Sequence, residues 1–204
     1  MDRDLLLALL IGYGFGSIPF GLLLTFAAGK GDIRKIGSGN IGATNVLRTG
    51  SKPLAAATLI LDCLKAVAAI LIARKLFGGD PLNDLAARYA AAGAFIGHLY
   101  PVWLKFKGGK GLATFLGILI PLLWPAAIVY AVVWIILVAT FRISSVGGIA
   151  AAISAPLSAL VFHSPLFPML LGFALLALWK HRENIRRLTK GTEPRIGSKT
   201  SPTG

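Results

Sequence analysis

The chain has 204 residues, of which 55% are hydrophobic and 14% charged, with a net charge of +13. Several apolar runs reach the roughly 20 residues a helix needs to cross a hydrocarbon core, which excludes a soluble globular enzyme. The basic residues gather in particular loops, which argues against nucleic acid and for membrane orientation and anionic ligands. The expected fold class is an all-α, polytopic integral membrane protein forming a single domain over residues 1–204.

The first apolar segment covers residues 5–28. Gly12 and Gly16, four apart, suit close helix packing, and Ser17-Ile18-Pro19 should kink the helix. Met1-Asp2-Arg3-Asp4 lacks the basic start of a signal peptide, so the segment is read as retained. Next comes Gly37-Ser38-Gly39-Asn40-Ile41-Gly42-Ala43-Thr44-Asn45, with Asp32, Arg34 and Lys35 before it and Arg48 after it. Glycines at this density let backbone N–H groups converge on a bound oxygen, and the hydroxyls and amides between them add uncharged donors. Such a loop suits phosphate; the alternative is a flexible polar turn. It is not a Walker loop, since no Gly-Lys-[Ser/Thr] closes it.

A second helix over 53–73 carries Asp62 and Lys65 at membrane depth, where they are expected to pair or to bind polar groups of neighbouring helices. Cys63 is the only cysteine, so no internal disulfide can form. A mixed-charge connection over 74–84 leads to a third helix over 85–104 containing His98, and then to a second polar loop. In that loop Gly108-Gly109-Lys110-Gly111 again exposes backbone, with a cation at its centre. The apolar stretch 112–141 is too long for one comfortable span and is divided at Pro121 and Pro125. A re-entrant hairpin there would give the same sidedness. After Arg142-Ile143-Ser144-Ser145, helices are expected over 146–162 and 165–179, the last continuing into a basic tail. On that continuing helix His181 and Asn184 share a face and can direct two hydrogen bonds at a phosphate or hydroxyl.

Seven crossings with the N-terminus out and the C-terminus in the cytoplasm place Lys30, Arg34, Lys35, Arg48, Lys52, Lys105, Lys107, Lys110, Arg142 and the basic tail on one side. The other side keeps Arg3, Arg74, Lys75 and Arg88, offset by Asp2, Asp4, Asp80 and Asp84. That arrangement follows the positive-inside rule, and it brings the polar loops to one membrane face. No His, Cys or carboxylate cluster has metal-ligand spacing, so no metal and no cofactor are expected.

Three motifs now stand in order. The first runs from Ser17-Ile18-Pro19 through Asp32-Ile33-Arg34 to Gly37–Asn45. The second comprises Gly97-His98, Pro101 and Phe106-Lys107-Gly108-Gly109-Lys110-Gly111-Leu112-Ala113-Thr114. The third comprises Lys180-His181, Asn184-Ile185, Arg187-Leu188 and Gly191-Thr192-Glu193. Together they resemble the acyl-phosphate:glycerol-3-phosphate acyltransferases of the bacterial inner membrane, the PlsY family.

The resemblance implies transfer of a fatty acyl group from acyl phosphate to the sn-1 hydroxyl of glycerol 3-phosphate, giving lysophosphatidic acid and phosphate. It implies a seven-helix fold in the inner membrane with the site facing the cytoplasm. Membrane lipids and neighbouring phospholipid-synthesis enzymes are the implied partners. The acyl-phosphate headgroup should meet the first loop (Gly37, Ser38, Gly39, Asn40, Gly42, Thr44, Asn45), with Ser38, Asn40 and Thr44 supplying side chains. Arg48, Lys110, His181 and Asn184 should hold glycerol 3-phosphate, with Gly108, Gly109, Ser144 and Ser145 close by. Ser38, Lys110, His181 and Asn184 are the implied catalytic residues. His181 is either a general base or a phosphate ligand, and a substrate phosphate is the other acceptor for the hydroxyl proton. The rival from another class is a phosphate or organophosphate transporter, which predicts internal repeats that this chain does not show.

Overall fold

A computed structural model describes residues 2–78 and 84–197. Gly79 and Asp80 of the charged connection, and Lys199 of the tail, lie outside the described residues. Every regular element among the described residues is helical, and the chain divides into two compact units, 1–124 and 125–204.

The first unit opens with α1 (Arg3–Gly16), capped by the Asp2 carboxylate, and α2 (Phe20–Ala27). The break between them falls at Ser17-Ile18-Pro19, because Pro19 cannot donate to the helical ladder. A short α3 (Ala43–Val46) follows the glycine loop. α4 (Lys52–Phe77) starts from the Ser51 cap with Pro53 in its first turn, where a missing N–H costs nothing. α5 (Leu85–Leu99) is capped by Asp84, whose carboxylate accepts from the Ala87 N–H at 3.0 Å. α5 is shorter than the sequence suggested, because residues 102–104 form a separate 3-10 turn. α6 (Leu112–Leu122) completes the unit.

Small residues set the crossings of this unit. A Cβ on Gly12 would lie 2.1 Å from the Ala90 carbonyl oxygen, and one on Gly16 the same distance from that of Ala94. The reciprocal contacts are Gly93 against Leu9 and Gly97 against Tyr13. α1 and α5 therefore run parallel with their backbones nearly touching. Gly117 meets the Cys63 backbone in the same manner, joining α6 to α4. Gly21 lies against the Thr58 side chain, and Ile18 meets Lys65, so α4 runs antiparallel to the first segment. The interior is accordingly rich in alanine: Ala66, Ala69, Ala73, Ala90, Ala91 and Ala94 are fully buried, whereas Leu10, Leu64 and Leu76 are half-exposed or more. Small residues at the helix contacts, with many large apolar ones facing outward, suit lipid surroundings, where close backbone contact holds helices together. At the end remote from the glycine loops, Arg74 pairs with Asp84 and donates to the Pro121 carbonyl at 3.3 Å.

The second unit contains α7 (Trp124–Phe141, from residue 125), α8 (Ser144–Val161), α9 (Phe167–Lys180) and α10 (Arg182–Thr189). Gly147 on α8 lets the helix approach the Trp134 backbone of α7. The 112–141 stretch is divided at Leu123, between the two prolines named from the sequence. The expected continuous helix through His181 is a correction: α9 ends at Lys180, and His181 occupies the junction before α10. No Gly or Pro announces that break, and the His181 N–H is satisfied by the carbonyls of Ala177 and Leu178.

Four helical segments are long and apolar enough to cross a membrane: Arg3–Ala27, Lys52–Phe77, Trp124–Phe141 and Ser144–Val161. α6 and α9 are shorter apolar helices.

Candidate active site

The glycine loop is a shaped element seated on its own apolar base. Ile33, Ile41 and Val46 are buried together with Leu22 and Ala55, and Leu104 packs against the same cluster. Leu104 thereby brings the turn preceding the second glycine loop to the base of the first. Trp103 adds a hydrogen bond at 2.7 Å from its indole N–H to the Ser17 carbonyl, left open by the break after α1.

Asn45 organises this loop from inside. It is 2% exposed. Its Nδ2 donates to the carbonyls of Ile33 (2.7 Å), Ile36 (3.2 Å) and Asn40 (2.8 Å), and its Oδ1 accepts from the Ser38 N–H at 3.2 Å. The Gly39 N–H donates to the Ile36 carbonyl at 3.0 Å, and the Gly42 N–H to Asn40 Oδ1 at 2.8 Å. The expected outward-facing backbone donors are thus engaged within the loop at Ser38, Gly39 and Gly42. The glycines serve geometry instead. Gly37 and Gly39 have φ of +54° and +67°, and a Cβ on Gly37 would meet Arg48 Cδ at 2.4 Å and Asn45 Oδ1 at 2.6 Å. What the loop offers outward is side chain: Ser38, Thr44 and Arg48 are exposed and Asn40 is half-buried. Arg34 pairs with Asp32 (Nη2 to Oδ2, 2.6 Å), and this hydrogen bond, more than charge alone, holds the Asp32 carboxyl down at about 2.

The second loop is stitched to the end of α5. The Gly108 and Gly109 N–H groups donate to the carbonyls of Leu99 (3.2 Å) and His98 (3.0 Å), which the helix leaves open. Gly109 is buried on the His98 ring, Gly111 starts α6 at a φ of +87°, and Lys110 between them is half-buried. His98 itself is 4% exposed and hydrogen-bonds Lys65 Nζ at 3.0 Å through Nδ1.

The other candidate residues belong to the second unit. His181 is buried, with Nδ1 2.7 Å from the Ala177 carbonyl. A carbonyl can only accept, so Nδ1 carries the proton and Nε2 is the acceptor atom of the neutral ring. Glu193 forms a hub that no sequence argument assigned. It accepts from Ser145 Oγ (2.7 Å) and Asn184 Nδ2 (2.6 Å) on Oε1, and from Arg187 Nε (2.7 Å) on Oε2. Burial pushes its carboxyl up, but the three hydrogen bonds and the Arg187 charge outweigh that and hold it below the usual carboxylate range. Asn184 and Ser145, both buried, are thus oriented by the tail, and Ser144 beside them is half-buried. The tail is also tied at Arg142, whose carbonyl accepts from the Ile196 N–H at 2.6 Å. In the sequence Glu193 closes the third motif, which also holds Asn184 and Arg187, but nothing there gives it a role.

The family model for glycerol-3-phosphate acyltransferase matches residues 6–191. The chain belongs to the glycerol-3-phosphate acyltransferase family. A glycerol-3-phosphate acyltransferase from Rhodopseudomonas palustris (strain HaA2) is 56% identical over 193 residues, covering 94% of this chain and 95% of the relative. One from Mesorhizobium japonicum is 54% identical over 200 residues, covering 98% and 100%. Among solved structures, the glycerol 3-phosphate form of PlsY, an integral membrane glycerol 3-phosphate acyltransferase, superposes with a TM-score of 0.87. It is 37% identical and covers 95% of this chain and 96% of its own. The lysophosphatidic acid form of PlsY gives 0.83 at 35% identity, covering 95% of each chain. Like that glycerol-3-phosphate acyltransferase, this chain is an integral membrane protein, and its regular elements are helical throughout the described residues.

Proposed function

We propose that this protein is an acyltransferase that moves a fatty acyl group from acyl phosphate to the sn-1 hydroxyl of glycerol 3-phosphate. The products are lysophosphatidic acid and inorganic phosphate, in the first step of bacterial phospholipid synthesis. The observation that carries the reading is identity above one half, over essentially the whole length, with glycerol-3-phosphate acyltransferases. The family match runs through both compact units, which supports one catalytic domain.

Both substrates carry phosphate, and the exposed polar groups are chosen for it. In the first unit Ser38, Asn40 and Thr44 receive the acyl-phosphate headgroup on a loop whose shape Gly37, Gly39, Gly42 and Asn45 maintain. Arg48 and Lys110 supply positive charge to the phosphate of glycerol 3-phosphate, Lys110 from the backbone platform of Gly108 and Gly109. In the second unit His181 and Asn184 recognise glycerol 3-phosphate, with Ser144 and Ser145 supporting them. The hydroxyl oxygen attacks the acyl carbonyl carbon, and the tetrahedral adduct collapses as the bond from carbon to the phosphate oxygen breaks. Phosphate leaves and takes the hydroxyl proton. An acyl phosphate is an activated anhydride, so orientation and charge stabilisation supply most of the acceleration. A second reading, His181 as general base, is favoured by one contact: the Ala177 carbonyl holds the ring in the tautomer whose Nε2 accepts a proton.

The protein crosses the bacterial inner membrane seven times, N-terminus out and C-terminus in the cytoplasm, with these groups on the cytoplasmic side. The direction of α4, opposed to that of α1 and α5, and the one-sided distribution of basic loops support this topology. Lipid surrounds the outward Leu and Ile side chains, and neighbouring enzymes of phospholipid synthesis supply the donor. Phosphate release from palmitoyl phosphate by purified protein should depend on glycerol 3-phosphate. Release at the same rate without it would sink the reading.

A further inference from the structure

Deep in the first unit a single ammonium group joins four segments. Lys65 Nζ lies 2.6 Å from Asp62 Oδ1 on its own helix and 2.7 Å from the Ile18 carbonyl at the α1–α2 break. It lies 3.0 Å from His98 Nδ1 on α5, and the Phe20 ring faces it at 5.9 Å. The side chains of Lys65, Asp62 and His98 are all nearly inaccessible, at 1%, 4% and 4%. An ammonium has three N–H bonds and no lone pair, and here it has three acceptors at hydrogen-bond distance. A charged Lys65 donates one N–H to each of the three, so His98 Nδ1 accepts and the proton of the neutral imidazole is on Nε2. That nitrogen faces the second glycine loop: a Cβ on Gly109 would lie 2.2 Å from Nε2. The His98 carbonyl also accepts the Gly109 N–H at 3.0 Å, so ring and backbone of one residue both bear on the loop carrying Lys110.

A buried ion pair of this kind adds little net stability compared with apolar replacements, and it is costly at membrane depth. We propose that Lys65 is a positioning residue for acyl transfer. It locks His98 in the Nε2–H tautomer, and that ring sets the Gly108–Gly111 backbone so that Lys110 meets the phosphate of glycerol 3-phosphate. The proposal rests on the role given to Lys110 above.

The first test is ¹⁵N NMR of histidine-labelled full-length protein in lipid nanodiscs, with resonances assigned through His98→Gln and His163→Gln. His98 should carry its proton on Nε2 and His181 on Nδ1, opposite tautomers in one protein. A proton on Nδ1 of His98 would overturn the proposal. The second test is kinetic. Lys65→Met combined with Asp62→Asn removes the cation without leaving a buried carboxylate unpaired. It should raise KM for glycerol 3-phosphate about tenfold, the effect of about 1.4 kcal/mol, with a smaller change in kcat. A fall in kcat alone, with KM unchanged, would mean fewer folded molecules and would refute positioning. Should that double variant not fold, His98→Gln against His98→Asn decides. Gln retains a donor near the Nε2 position and should hold KM closer to wild type, whereas equal KM values for both would refute the proposal. The tautomer is read without substrate, so its failure and a failure of acyl transfer are separate results.

Discussion

Gly37→Ala is the substitution that most sharply separates a shaped phosphate loop from a flexible turn. Its φ of +54° is a conformation that costs an L-residue about 1–2 kcal/mol. The new Cβ would also lie 2.6 Å from Asn45 Oδ1 and 2.4 Å from Arg48 Cδ. Arg48 is exposed and can swing aside, but Asn45 is fixed by its bonds to three carbonyls. Its Oδ1 must release the Ser38 N–H, at about 1 kcal/mol for a neutral hydrogen bond. The native loop is then disfavoured by about 2–3 kcal/mol, which corresponds to a fall in kcat/KM of about 30- to 150-fold. Gly50→Ala is the matched control, with φ +83° and nothing within 4 Å of the new Cβ. It carries the backbone strain without the collision. Purified variants should be compared for lysophosphatidic acid formation and thermal melting. Gly37→Ala with wild-type kcat/KM and an unchanged melting temperature would refute the reasoning.

Glu193→Gln should lower stability and activity at neutral pH, and the difference from wild type should depend on pH with a fixed sign. A carboxyl held below its unfolded value, about 4.3 for Glu, contributes fully above that pH and loses its contribution as pH falls through the lower folded value. Thermal melts from pH 7 down to 3 should therefore converge in the acid range, and a gap that widens there would contradict the hub. Cysteines placed at Gly50 or Gly191 should react with impermeant reagents only from the cytoplasm, and one at Gly79 only from outside. Outside labelling at 191 would exclude seven crossings.

Much of the helical layout was written in local chemistry. Pro19 breaks the first span, Ser51 and Asp84 cap α4 and α5, and Gly12 and Gly16 mark a close crossing, all through interactions a few residues long or through the absence of a side chain. The interior of the site was less legible. Glycine spacing reports permissive backbone but not which way an N–H points, so the inward hydrogen bonds of Ser38, Gly39 and Gly42 could not be read. Asn45 stood among the proposed ligand contacts, yet its partners at Ile33 and Ile36 are set by loop closure. Glu193 gathers Ser145, Asn184 and Arg187 across up to 48 positions of sequence; the third motif contains Asn184, Arg187 and Glu193, but their spacing does not say that they meet, and Ser145 lies outside it. The break at His181 had no Gly or Pro to signal it.

The proposed reaction is acyl transfer to glycerol 3-phosphate from an acyl phosphate, through side chains and loops built for anions. The direct measurement gives purified protein glycerol 3-phosphate and EDTA, with palmitoyl phosphate as donor in one reaction and palmitoyl-CoA in the other, and follows lysophosphatidic acid. Palmitoyl phosphate should support full turnover in EDTA, and palmitoyl-CoA, which has no acyl-linked phosphate, should give none. Comparable rates from the two donors, or activity lost in EDTA and restored by a divalent cation, would contradict the account.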